Sequence, residues 1–123
     1  MSIYSELILD HYQNPRNYGK ISNPTNTVEF VNPLCGDKIK MGLVMKDNKI
    51  IDIKFEGIGC AISKAASSML TEYAKDKTKD ELQKLDKNFM IKLLGIELGV
   101  NRVKCGMLPS EALKKLIVIN KNG

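Results

Sequence analysis

The spacing of apolar residues changes several times along the chain, and each change predicts a new element. Apolar side chains at helical spacing predict a first helix over residues 3–13, and the segment from Asn14 to Gly19 ends it. From Thr27 to Glu56 apolar and polar residues alternate, which predicts three strands, with a turn at Asp47 and Asn48 before the third. The apolar face predicted for the third strand consists of Ile51, Ile53 and Phe55.

Beyond Gly59 the apolar period becomes helical. The first stripe consists of Ile62, Ala65, Ala66, Met69, Leu70 and Tyr73. Thr78 and Glu81 have the spacing of a capping box, and Asp86 suits the N-cap of a helix that ends before Gly95. A last helix, with Pro109 in its first turn, follows from Leu108, Ala112, Leu113, Leu116 and Ile117. We therefore expect an α+β fold in which helices cover a three-stranded antiparallel sheet.

The length of 123 residues favours one domain spanning 1–123. No stretch approaches the roughly 18 consecutive apolar residues of a membrane span, so we expect no membrane partner. The first residues lack the basic start and apolar run of a secretory signal, which predicts a cytoplasmic protein. The net charge is +5, and all basic residues except Arg16 and Arg102 are lysines. Because these lysines are dispersed over every predicted element, we do not expect nucleic acid as a partner.

The three cysteines, Cys35, Cys60 and Cys105, form an odd set that cannot be a complete disulfide framework. Each lies at a predicted junction between elements, so metal ligands or reactive thiols are the better interpretation. Cys60 and Cys105 are predicted near helix N-termini, where the helix dipole favours thiolate, and Lys104 adds a positive charge beside Cys105. A thiolate both binds metal and attacks a persulfide.

Three cysteines leave a tetrahedral ion one ligand short. Asp37 is the nearest candidate for the fourth position, because carboxylate oxygen is an acceptable zinc ligand. The alternatives are that the cysteines are small buried apolar residues and that Asp37 is a turn residue. His11, the single histidine, is predicted to be packed or hydrogen-bonded rather than a ligand.

Four motifs in order give the chain a specific resemblance. They are Ile8-Leu9-Asp10-His11-Tyr12-Gln13-Asn14-Pro15-Arg16-Asn17, Asn32-Pro33-Leu34-Cys35-Gly36-Asp37, Phe55-Glu56-Gly57-Ile58-Gly59-Cys60-Ala61-Ile62-Ser63 and Arg102-Val103-Lys104-Cys105. The chain resembles the U-type iron–sulfur cluster assembly scaffolds, the IscU and SufU group related to the N-terminal part of NifU. The resemblance implies a SufE/NifU-like α+β fold in which the three cysteines meet at one exposed end. It also implies a cysteine desulfurase that delivers persulfide sulfur to one of them.

Two features of the sequence distinguish the IscU branch of this group from the SufU branch. Members of the IscU branch have a histidine before the third cysteine and a Leu-Pro-Pro-Val-Lys motif upstream, whereas this chain has Lys104 and Leu98-Gly99-Val100-Asn101. The Arg-x-Lys-Cys signature resembles SufU, whose members are similar to zinc-bound sulfur acceptors with Cys, Asp, Cys and Cys ligands. The interval of 45 positions from Cys60 to Cys105 leaves little room for the insertion typical of SufU.

Two functions compete. The first is a scaffold on which Cys35, Cys60 and Cys105 build a transient [2Fe–2S] cluster from iron and persulfide sulfur, for transfer to recipient iron–sulfur apoproteins. The second is a zinc-dependent sulfurtransferase, the only sense in which the protein would be an enzyme. A structural zinc module is disfavoured, because the ligands are not closely paired. Cys105 is the expected persulfide acceptor, with Arg102 and Lys104 facing the partner. The sequence leaves open the resident metal, the oligomeric state and the recipients.

Overall fold

The computed structural model describes residues 3–22, 24–32, 36–59, 61–95 and 100–119. Five helices and three strands follow one another within these ranges. In chain order they are α1 (Ile3–Gln13), β1 (Asn26–Asn32), β2 (Asp37–Lys46), β3 (Lys49–Ile58), α2 (Ala61–Ala74), α3 (Lys79–Gln83), α4 (Lys87–Leu94) and α5 (Val100–Ile119).

The three strands form one antiparallel sheet in the order β1-β2-β3, as the alternating pattern predicts. Asn32 pairs with Asp37, and Lys38 pairs with Ile58, so the end of β1, the start of β2 and the end of β3 share one end of the sheet. The buried face of β2 and β3 packs against the helices and consists of Ile39, Met41, Leu43, Met45, Ile50, Ile53 and Phe55. The predicted α+β layer of helices on a meander is confirmed.

The third strand departs from the predicted pattern at its start. Val44 pairs with Asp52 but Met45 pairs with Ile50, so one residue of β3 is skipped by the ladder. Such a bulge reverses the facing of the residues before it. Ile50 is therefore fully buried, whereas Ile51 is 46% exposed, and the prediction that Ile51 belongs to the apolar face was wrong.

The helices of the middle region begin and end where the sequence indicates. The apolar stripe of α2 is buried, apart from the partly buried Tyr73. Thr78 and Glu81 form the predicted capping box at α3, and the Asp86 side chain accepts the Phe89 N–H as the N-cap of α4. Gly95 ends α4 with φ of +73°, a left-handed conformation that glycine adopts without strain.

The last helix begins earlier than predicted. It starts at Val100, so Cys105 belongs to the helix backbone, and Pro109 lies in the helix interior instead of its first turn. Proline has no N–H, and residue 109 is the position that would donate to the carbonyl of Cys105 in an unbroken helix. The helix hydrogen-bond ladder is therefore interrupted at Cys105.

Backbone hydrogen bonds attach two flanking segments to β3. Phe55 donates its N–H to the Asn17 carbonyl over 2.9 Å and accepts from the Gly19 N–H over 2.8 Å. At the other end of the strand, Ile50 donates to the Lys77 carbonyl over 3.0 Å and accepts from the Asp76 N–H over 2.8 Å. Among the described residues, no helix has the length and apolar character needed to cross a membrane.

Candidate metal and sulfur site

Asp37 is the candidate ligand that the structure describes in full. It is the first residue of β2, and its side chain is buried, with 3% of the residue exposed. Aspartate is rarely this buried unless its carboxylate is paired with a donor or a cation. The position therefore suits a metal ligand at the end of the sheet better than an ordinary surface turn.

The carboxylate of Asp37 lies against the backbone of Gly59. A Cβ atom placed on Gly59 would come within 2.8 Å of Oδ1 of Asp37 and 2.7 Å of Oγ of Ser63, closer than real Cβ atoms approach. A Cβ at residue 59 would therefore force the Asp37 carboxylate and the Ser63 hydroxyl to move. Glycine at this position allows the carboxylate to lie close to the start of α2.

This contact joins two motifs that are far apart in the sequence. Asp37 follows Cys35 by two residues, and Gly59 directly precedes Cys60. Both cysteines lie outside the described residues, so their predicted roles as ligands are not tested by the structure. The described neighbours of the two cysteines nevertheless meet at one point, through Asp37 and Gly59.

The third motif lies on α5. The backbone of Arg102, Lys104 and Cys105 is helical, and the side chains of these residues are outside the described part of the structure. The prediction that Cys105 precedes a helix, with the dipole of the N-terminus acting on its thiol, was wrong, because α5 begins at Val100. Within the described side chains, no group of three possible metal ligands occurs.

His11 is held away from this chemistry by its own hydrogen bonds. It is 5% exposed, and its Nδ1 lies 2.7 Å from the hydroxyl oxygen of Ser68, which also accepts the Arg16 N–H over 2.8 Å. Burial, with a further contribution from the Arg16 charge, lowers the pKa of His11. The predicted packed and hydrogen-bonded histidine is confirmed.

Ser63, which the sequence pattern did not single out, lies in the first turn of α2 and is buried beside Gly59. The available signal was its place in the motif that contains Cys60. Serine there looks like an ordinary small helix residue until the approach of Asp37 is known.

The donor set is compatible with zinc. Three cysteine sulfurs and one carboxylate oxygen are ligand types that zinc accepts in tetrahedral sites, and Asp37 offers its oxygen from a buried position. The positive charge of bound zinc would stabilise the thiolate form of the cysteines. Cysteine thiolates equally suit an iron–sulfur cluster as cargo.

Comparison with known proteins gives the family. The sequence profile described as "NifU-like N terminal domain" matches residues 3–121. The chain is 42% identical over 123 positions to the iron–sulfur cluster assembly scaffold protein IscU 1 of Archaeoglobus fulgidus, covering 98% of this chain and 80% of that protein. It is 34% identical to the zinc-dependent sulfurtransferase SufU of Bacillus subtilis, covering 99% of this chain and 94% of SufU.

The SufU alignment extends over 139 positions, against 123 residues in this chain, so SufU has residues without a counterpart here. Among solved structures, the chain matches a protein described as an iron–sulfur cluster assembly scaffold for the SUF system of Fervidobacterium islandicum, with a TM-score of 0.83 and 34% identity over 94% of this chain and 96% of that chain. Because relatives of both the IscU and SufU types are similar to this chain, its closer relation to the SufU branch stays a prediction. The profile, the relatives and the fold agree that this chain belongs to the NifU N-terminal family of U-type iron–sulfur cluster assembly scaffolds.

Proposed function

We propose that this protein is a cytoplasmic iron–sulfur cluster assembly scaffold. It accepts persulfide sulfur from a cysteine desulfurase and holds iron or a [2Fe–2S] cluster, or zinc in the resting protein. The ligands are Cys35, Asp37, Cys60 and Cys105. Recipient apoproteins then take the cluster, and the whole chain, 1–123, acts as one domain.

One observation carries this proposal beyond family membership. The buried carboxylate of Asp37 lies against Gly59, so the described neighbours of Cys35 and Cys60 meet at one end of the sheet. This contact supports the proposal that Cys35, Asp37 and Cys60 bind one small metal centre. The third thiol belongs to α5, which packs on α2 and on the sheet.

The sulfur step is a thiol–persulfide exchange. The thiolate of Cys105 attacks the outer sulfur of the desulfurase persulfide, a new S–S bond forms on Cys105, and the S–S bond of the donor breaks. The electron pair of the broken bond leaves with the donor cysteine as a thiolate, so no external oxidant or reductant is required. Lys104 and Arg102 would place positive charge beside the attacking thiolate.

A zinc-dependent sulfurtransferase is the second candidate, and its support is the similarity to SufU together with Lys104 before Cys105. The two functions differ in what the purified protein holds. We expect about one zinc per chain, bound through the four ligands. Elemental analysis of protein purified without added metal measures it, and brown protein with iron and sulfide but no zinc would contradict this expectation.

Desulfurase assays test the acceptor assignment. Cys105→Ser is expected to abolish the acceleration of alanine release by a partner desulfurase, because no thiolate remains there to take the sulfur. Arg102→Ala should weaken the acceleration and leave zinc content unchanged. Full acceleration by Cys105→Ser would refute the acceptor role, and zinc loss in Arg102→Ala would show that the arginine supports the site rather than the partner.

A further inference from the structure

Pro109 divides α5 into two parts. The part after the proline is anchored in the core, because its buried side chains include Leu113, Leu116 and Ile117. The Leu116 carbonyl also accepts a hydrogen bond from the Asn26 side chain over 3.3 Å, which attaches this part of the helix to β1. The residues after the proline are therefore held in place by the sheet and the core.

The part before the proline contains residues that the proposed function uses. Arg102 and Cys105 belong to it, and its backbone is helical. In an unbroken helix residue 109 would donate its N–H to the Cys105 carbonyl, but proline has no N–H and its ring crowds that carbonyl. Gly106, directly after Cys105, is also a poor helix former. Glycine and proline together therefore weaken the helix at the boundary that follows Cys105.

A cysteine that both binds metal and accepts sulfur has to occupy two positions. As a ligand it shares one centre with the other thiolates, whereas as an acceptor it meets a persulfide on another protein. An unbroken helix would hold its backbone in one position. Sharp bends in helices occur at prolines, and hinge motions are absorbed by a few residues at the ends of elements. A break after Cys105 therefore allows a short segment to turn while the rest of α5 stays packed.

We propose that Pro109 is a positioning residue that makes the boundary after Cys105 a hinge. When the desulfurase docks, residues 100–105 turn about this hinge and bring Cys105 from the metal site to the donor persulfide. The exchange itself is unchanged: an S–S bond forms on Cys105 as the donor S–S bond breaks, and the donor cysteine leaves as a thiolate. The inference rests on the proposed function, because it requires Cys105 to be both a ligand and the acceptor.

Single-turnover sulfur transfer from two donors to the zinc-loaded protein tests the hinge. The desulfurase presents its persulfide on a large protein, whereas glutathione persulfide is a small molecule that can approach the metal site directly. Pro109→Ala restores the missing N–H, so opening the hinge then breaks one additional hydrogen bond. Transfer from the desulfurase should therefore be about fivefold slower, while transfer from glutathione persulfide should be unchanged. Mass spectrometry of the persulfide on Cys105 measures both rates.

Two control variants identify the missing hydrogen bond as the cause. Ser110→Ala removes a buried hydroxyl that donates to the Met107 carbonyl over 2.8 Å in the same turn, and it should keep the native rates. Ester-linked lactic acid at position 109 removes the proline ring but supplies no N–H, so it should also accept sulfur at the native rate. Slow transfer from the desulfurase to this ester variant would refute the hinge.

The outcomes separate this inference from the proposed function. Native sulfur acceptance by Cys105→Ser would refute the acceptor role, and the hinge with it. If Cys105 is the acceptor but Pro109→Ala matches the native protein with the desulfurase, or is slowed equally with both donors, only the hinge is refuted. The zinc content of Pro109→Ala should be native, and a lower content would show that the proline supports the metal site instead. In the metal-free protein the amides of residues 104–108 should exchange more slowly in Pro109→Ala, and unchanged exchange would count against the hinge.

Discussion

Replacing Pro109 by alanine should repair the helix at Cys105. In α5 the proline occupies the position whose N–H would bond to the Cys105 carbonyl, nine residues after the helix begins. Pro109→Ala supplies that N–H and removes the ring from the preceding turn. The expected result is a small net gain in the free energy of unfolding of the metal-free protein.

The magnitude is a balance of two contributions. Proline in a helix interior is about 3 kcal/mol less favourable than alanine, a difference that already includes the entropy of the unfolded chain. Against this gain, residue 109 is buried, and the change removes two methylene groups worth about 0.8 kcal/mol each. The expected gain is therefore about 1.4 kcal/mol.

Urea denaturation of the metal-free proteins measures the change, and hydrogen exchange of the new amide at position 109 shows whether it bonds. The amide should be protected. Pro109→Gly is the matched control, because it also supplies an N–H but should be about 1 kcal/mol less stable than Pro109→Ala. A loss of more than about 2 kcal/mol in Pro109→Ala, with an unprotected amide, would show that packing of the ring outweighs the missing bond.

Three further predictions concern the site and its support. Gly59→Ala should destabilise the metal-free protein by about 1–3 kcal/mol and weaken zinc binding, because its Cβ displaces Asp37. Urea denaturation and chelator competition measure the two effects, and Gly42→Ala, whose Cβ would meet no atom closer than 3.4 Å, is the control. Equal behaviour of the two variants would contradict the steric argument. Burial lowers the pKa of His11, so its contribution to stability is present above the unfolded pKa of about 6.5 and is lost as the pH falls through the folded pKa. The urea midpoint should fall more between about pH 7.5 and about pH 5.5 in the native protein than in His11→Asn, and equal falls would count against it. Asp37→Ala should let a reconstituted cluster persist longer, since removing an oxygen ligand favours retention by the thiolates; equal or faster decay of its visible absorbance would argue against a labilising role.

The fold could be predicted because its signals are local. Alternation over β2 and the capping residues Thr78 and Asp86 specify elements through contacts between near neighbours. The side of the sheet on which Ile51 lies could not be predicted, because it is set by a bulge at Val44 and Met45. A bulge depends on how two strands pair, and the apolar pattern of either strand alone does not reveal it. The start of α5 was missed because a proline inside a helix looks like a helix start.

The ligand types of the candidate site stay a prediction from the sequence, whereas the contacts that support Asp37 could not be predicted. Cysteine number and spacing, with Asp37 beside Cys35, indicated the chemistry. The contact of Asp37 with Gly59, and the presence of Ser63 beside it, arise from the packing of β2 against the start of α2. Such contacts between residues more than twenty positions apart leave no pattern in a single sequence.

The hydrogen bonds that hold the flanking segments on β3 also bear on aggregation. An outer strand with open N–H and C=O groups is a template on which another chain can add a strand. Here Asn17 and Gly19 bond to the backbone groups of Phe55, and Asp76 and Lys77 bond to those of Ile50, so β3 is paired with other parts of the chain near both of its ends. Under the proposed function the protein also exists without its cargo. In that form these bonds leave fewer backbone groups of β3 open to a strand from another molecule.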